Sequence, residues 1–160
     1  MRLWHKHLIP VLPRQQLVSQ WRECCAIMKA IAENNTPNHI LVNRIMDYPI
    51  IHFALYHSLV VAEMKKRGYQ VRKDGIERFN NNYAKLTERT FEEDAEVFLN
   101  RYGIDNIFLS NWNDCDWHND RYYMQCLYNL QEKYDCGGLT EDEWSKIAKS
   151  AAELKNISIL

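Results

Sequence analysis

The chain has no apolar run near the ~20 residues that a membrane-spanning helix needs, and no internal repeat or low-complexity tract. Its start, Met1-Arg2-Leu3-Trp4-His5-Lys6-His7, is charged and has no long apolar stretch behind it, unlike a secretory signal peptide. A cytoplasmic protein with no membrane partner is therefore the expectation. Glycine and proline are scarce, 5 and 4 in 160 residues, which weighs against a turn-rich all-β fold. No cysteine pair is spaced C-x-x-C. The five cysteines, Cys24, Cys25, Cys115, Cys126 and Cys136, are odd in number, so reduced thiols are expected rather than a disulfide framework.

What is present is an ordinary composition for a folded protein, 46% hydrophobic and 26% charged, in a length that suits one domain. The net charge of -1 hides an asymmetry. Residues 1–80 carry 12 Lys+Arg against 6 Asp+Glu, a balance of +6, and the remaining residues carry 8 against 15, a balance of -7. A basic first half permits a local nucleic-acid-binding patch.

Helical signals dominate. Leu17, Trp21, Cys24, Met28 and Ile31 recur at three- and four-residue steps, predicting a helix from Pro13 to Asn34-Asn35. A second helix is predicted from Asp47 to Arg67, with Gly68 as its stop. The polar stretch from Tyr69 to about residue 90 reads as a long connection. Thr90-Phe91-Glu92-Glu93 and Thr140-Glu141-Asp142-Glu143 resemble capping boxes, opening helices to about Gly103 and Lys155. A further helix is predicted from Asp120 to Tyr134. The fold class is all-α, as one multi-helix domain over residues 1–160.

The most informative segment runs from Gln15 to Cys25. Gln16, Ser19, Gln20 and Glu23 share one polar stripe of the first helix. Composition alone reads that stripe as a solvated face. The functional reading makes Glu23 a catalytic carboxylate beside a phosphate-binding Arg22.

Gln15-Gln16-Leu17, followed after three residues by Trp21-Arg22-Glu23, resembles the Gln-His-Leu and Tyr-Arg-Glu of the pyrimidine-dimer DNA glycosylase family at the same spacing. Ala62-Glu63-Met64-Lys65-Lys66-Arg67-Gly68-Tyr69-Gln70-Val71 is similar to that family's Ala-Glu-Cys-Leu-Lys-Arg-Gly-Phe-Asn-Ile. Leu130-Gln131-Glu132-Lys133 is similar to its Leu-Asp-Glu-Lys. The three matches fall in the same order in both chains. Residues 1–71 are covered reasonably, while 72–118 and 137–160 are not.

The resemblance implies an all-α, endonuclease-V-like domain that removes a damaged base from double-stranded DNA and then cuts the backbone as an AP lyase. The implied nucleophile is the N-terminal α-amine, here of Met1, because the large Arg2 is expected to block removal of the initiator methionine. Glu23 is the implied acid/base. Arg2, Arg22 and Lys133 are implied phosphate contacts, and Gln15 a contact to the substrate strand. An α-amine has a model-peptide pKa of roughly 7.7–8.0, so part of such a population is neutral and nucleophilic near pH 7. A carboxylate then shuttles protons once the imine forms. Neither step needs a metal or an organic cofactor.

The chain also departs from the family pattern. Gln16 stands for its His, Ala26 for an Arg three residues beyond the Glu, and Asn129 for an Arg four residues before the Lys. The family's mature Thr-Arg-Ile start is Met1-Arg2-Leu3, with one more residue before Gln15. Lost cations lower DNA affinity and its salt dependence.

Other features have local explanations. Lys65, Lys66, Arg67, Arg72 and Lys73 suit the negative end of a helix dipole, or a phosphate patch. Tyr69, Trp117, Tyr122 and Tyr123 are core aromatics or stacking surfaces for a base. Asp114 to Asp120 fits no zinc or calcium template and reads as a polar turn. His5 and His7 suggest a local polar contact. Cys24-Cys25 lacks a nearby His base for a thiol nucleophile. The alternative function is a non-enzymatic helical module binding nucleic acid or protein; a nuclease using the same cleft is a third.

Overall fold

The computed structural model describes residues 1–102 and 117–157, with side chains to residue 154. The described residues form helices and no strand. A 3₁₀ helix, Lys6–Val11, leads into α1 (Arg14–Asn34); a second 3₁₀ helix, Asn43–Asp47, precedes α2 (Ile50–Lys66). Then come α3 (Lys73–Thr87), α4 (Phe91–Tyr102), α5 (Asp120–Asp135) and α6 (Glu141–Ile157).

The apolar periodicity explains the layering. α1 buries Leu17, Trp21, Cys24, Ile27, Met28 and Ile31 on one stripe. α2 is apolar around most of its girth and buries Phe53 through His57, then Val60, Val61 and Met64. It is accordingly the central helix, packed between α1, α4 and both 3₁₀ helices. Each large side chain fully buried this way contributes roughly 1.5–3 kcal/mol. Both capping boxes form. Thr90 and Glu93 exchange backbone-to-side-chain bonds at 2.8 and 3.2 Å, and Thr140 and Glu143 do so at 2.9 and 3.3 Å.

α2 stops where expected. Gly68 takes a left-handed φ of 72°, and Tyr69 N–H returns to the Met64 carbonyl. Its start differs from the expectation at Asp47. That residue closes the second 3₁₀ helix, and Pro49 caps α2.

The long connection expected near 69–90 is corrected: residues 73–87 form α3, which packs on α1. Its buried stripe is only Gly75, Phe79 and Tyr83, and Arg72 supplies no side-chain cap. So few apolar residues in a run containing Asn80-Asn81-Asn82 leave a weak periodic signal. Contact with α1 supplies what the local sequence does not. Gly75 meets the Trp21 ring so closely that a Cβ there lies 2.8 Å from Trp21 Cζ2.

Arg67 ties the start of the chain to the end of α2. Its guanidinium donates to Glu63 Oε1 at 2.6 Å, to the Leu12 carbonyl at 2.6 Å and to the Pro10 carbonyl at 2.7 Å. Within the basic cluster, then, Arg67 is a structural clasp. Arg72 is held by Asp74 at 2.9 Å.

Candidate nucleic-acid interface and N-terminal cleft

Residues 1–5 precede the first helix and meet the polar stripe of α1 through Arg2 and Trp4. The backbone N–H of Arg2 donates to Glu23 Oε2 at 3.4 Å. The Tyr122 hydroxyl donates to the Leu3 carbonyl at 2.5 Å. Gln20 Oε1 accepts the Trp4 N–H at 2.8 Å, and Tyr56 donates to that same oxygen at 3.1 Å and to the Trp4 carbonyl at 2.7 Å. Each backbone group is met by a different side chain, so the terminus is fixed in register as well as in place.

The stripe is therefore not a solvated face throughout. Gln20 is buried, with 1% exposure, and Glu23 is half-buried beneath Arg2. Gln15, Ser19, Arg22 and Ala26 remain exposed along the flank of α1.

A second tether holds His5. Its Nε2 donates to the His118 carbonyl at 2.8 Å, while its Nδ1 accepts the His7 N–H at 3.3 Å. Those two bonds assign the Nε2–H tautomer. The Lys6 N–H donates to His118 Nδ1 at 3.2 Å. Burial lowers the His5 pKa to about 4, so the ring is neutral. The same cause pushes His118 well below the ordinary range. The local contact expected for His5 is present, in the His7 bond, and a long-range one to His118 joins it.

Beside the fixed terminus lies a cleft of about 410 Å³ lined by Arg2, Leu41, Tyr122, Gln125, Tyr128 and Asn129. Tyr122, Gln125 and Asn129 project from one face of α5, and the exposed Lys133 continues that face one turn beyond Asn129. Burial, and next the Cys126 thiol, raise the Tyr122 pKa, keeping its hydroxyl a neutral donor. Met1 is 46% exposed, Tyr128 60% and Leu41 51%.

The fold brings the Arg2 amide against Glu23, and Arg2 into the cleft with the α5 face that bears Lys133. Arg22 and Gln15 stand on the exposed flank of α1 rather than in the cleft lining. Sequence reasoning missed Gln20, Tyr56, Leu41 and Tyr128. Of these only Gln20 had a signal, its place on the polar stripe. Trp117 and Tyr123 are buried, at 1% and 8% exposure, and belong to the core. Cys24 is fully buried, and burial pushes its thiol well up, the opposite of what activates a nucleophile. The Asp114–Asp120 run lies partly outside the described residues; among the described residues no group of three or more ligating side chains is disposed to hold a metal ion. No described helix is long and apolar enough to cross a membrane.

The family model for pyrimidine dimer DNA glycosylase matches residues 1–77, a little under half of the chain. It supports the family to which the Gln15–Glu23 and Ala62–Val71 motifs pointed. No curated protein and no solved structure matches the chain significantly.

Proposed function

We propose that this chain is a DNA repair enzyme, a pyrimidine-dimer-type DNA glycosylase that also cleaves at the resulting abasic site. The family match over residues 1–77 supports the glycosylase, with damaged double-stranded DNA as substrate. The observation that carries the mechanism is the Arg2 N–H to Glu23 Oε2 bond of 3.4 Å, which supports it because the residue bonded to that half-buried carboxylate follows Met1 directly and also lines the cleft.

In this reading the neutral Met1 amine attacks the sugar C1′, and the glycosidic electron pair leaves with the base, which takes up a proton. The secondary amine then opens the sugar ring to an iminium. Glu23 takes the proton that the attached amine sheds and returns one to O4′ as the C1′–O4′ bond breaks. Loss of the C2′ proton to a base expels the 3′ phosphate by β-elimination, and water hydrolyses the imine to free the enzyme. The clamp by Gln20, Tyr56 and Tyr122 removes freedom that the amine otherwise loses on reaction. Arg2, Arg22 and Lys133 contact phosphates, and Gln15 holds the substrate strand.

Borohydride trapping on duplex DNA carrying an abasic site or an ultraviolet-induced dimer tests this. The expected product is a covalent adduct that maps to Met1, vanishes on N-terminal acetylation, and forms about 10²–10⁴-fold more slowly in Glu23→Gln. A folded protein giving no adduct on either DNA overturns the mechanism and leaves a binding module.

A further inference from the structure

The groove between α1 and α3 is distinct from the N-terminal cleft and is not used by the mechanism above. It encloses about 450 Å³, and its walls include Ala26, Lys29 and Glu33 from α1 and Arg78, Asn82 and Lys85 from α3. Three cations face one carboxylate there, a formal balance of +2. The α3 residues are not scattered. Arg78, Asn82 and Lys85 stand at i, i+4 and i+7, so one helical face presents them all.

The cations are available to an outside anion. Arg78 is 70% exposed and lies 3.2 Å from Asp74, whose carboxylate already takes two bonds from Arg72. Lys29 is 63% exposed and only loosely paired with Glu33, at 3.8 Å. Exposed pairs of this kind are worth about 0–1 kcal/mol, so a phosphate displaces them at little cost. Ala26, with a single methyl, leaves the α1 wall low between them.

The groove is also in line with the reaction site. Arg22, Ala26, Lys29 and Glu33 follow one exposed ridge of α1, beginning next to Glu23. At 1.5 Å per residue, Lys29 lies about 9 Å further along the axis than Glu23. That is about three base pairs of duplex at 3.4 Å each.

We infer that the α1–α3 groove is a phosphate-binding track for the DNA backbone, with Arg78 and Lys85 as its main contacts. It rests on the reading of the chain as a DNA-acting enzyme. Phosphate contacts of this type position a duplex without reading its sequence. The expected contribution is therefore to affinity and salt dependence, for damaged and undamaged DNA alike.

The test measures binding of the full chain to an undamaged duplex and to the same duplex with an abasic site, by fluorescence anisotropy across a salt series. Each lost phosphate contact lowers the slope of log K against log salt by about 0.9. Arg78→Gln is expected to lower it by about one contact and Arg78→Gln with Lys85→Gln by about two, on both duplexes. Adding Ala26→Arg to Arg78→Gln restores the slope, which a structural role for Arg78 does not explain. Lys149→Gln, an exposed cation of α6 outside the groove, leaves it unchanged. Borohydride trapping run in parallel separates the two ideas. Unchanged slopes with normal trapping overturn the groove and spare the chemistry. Lowered slopes with no trapping in any sample keep the groove and overturn the chemistry. Failure of the unsubstituted protein to bind either duplex overturns the groove.

Discussion

Gln20 Oε1 accepts the backbone N–H of Trp4 at 2.8 Å, across 16 residues of chain. The same oxygen takes the Tyr56 hydroxyl, so one side chain from α1 and one from α2 close on the N-terminal segment. Gln20 thus acts on the proposed reaction only by positioning it. Gln20→Leu leaves the buried Trp4 amide without its acceptor, while the Tyr56 hydroxyl keeps the Trp4 carbonyl, at a cost of about 1–3 kcal/mol. Borohydride trapping on an abasic duplex is expected to fall at least about ten-fold as the α-amine loses its register. Duplex affinity stays within about two-fold, which separates lost positioning from lost folding.

Gly75 reports on the α1–α3 contact. A valine there places Cβ 2.8 Å from Trp21 Cζ2, and the indole is hemmed in by the core and has nowhere to retreat. Overpacking of this kind costs about 1–3 kcal/mol. Thermal unfolding of Gly75→Val is expected several degrees lower, by about 2–4 °C per kcal/mol. A melt unchanged from the parent overturns the close approach.

Acid weakens the fold through its buried histidines. Burial lowers His5 and His57 from 6.5 to about 4 each, and His57 lies flat on Phe79 at 3.7 Å. The unfolded chain binds these protons near pH 6.5 and the folded chain only near 4. Between those values unfolding takes up protons, so stability falls as pH falls, and the share of these two groups is spent below about 4. Each group removes up to about 3 kcal/mol over that window. Denaturant titrations at pH 7.5, 5.5 and 4 check the trend. His57→Leu is expected to flatten it by one group's share, and an equally steep loss in that variant counts against His57.

The sequence made most helices legible because their determinants are local. The Leu17–Ile31 period, the Gly68 stop and the two Thr-x-x-Glu boxes each act within a turn or two. α3 was not legible, since Phe79 and Tyr83 become an apolar face only when Trp21 and its neighbours lie against them. The site divides the same way. Glu23 and the N-terminus were singled out by motif, and the fold lays the Arg2 amide on that carboxylate. Tyr56 left no trace and Tyr122 read only as a core or stacking aromatic, because a hydroxyl meeting a carbonyl 52 or 119 residues away has no spacing to read. Gln20 was visible as polar, but its burial depends on a segment that lies over it.

The tethers of the N-terminal segment have a consequence for the order of events in folding. Tyr122 reaches Leu3 across 119 residues, and His118 receives Lys6 across 112. The partners of Leu3 and Lys6 are thus made more than a hundred residues after them. Residues 1–77 contain Glu23, Gln20 and Tyr56, but the partners that close over Leu3 and Lys6 come from α5 and the turn before it. A growing chain has the partners of Arg2 and Trp4 early, and closes over Leu3 and Lys6 only when that later part arrives.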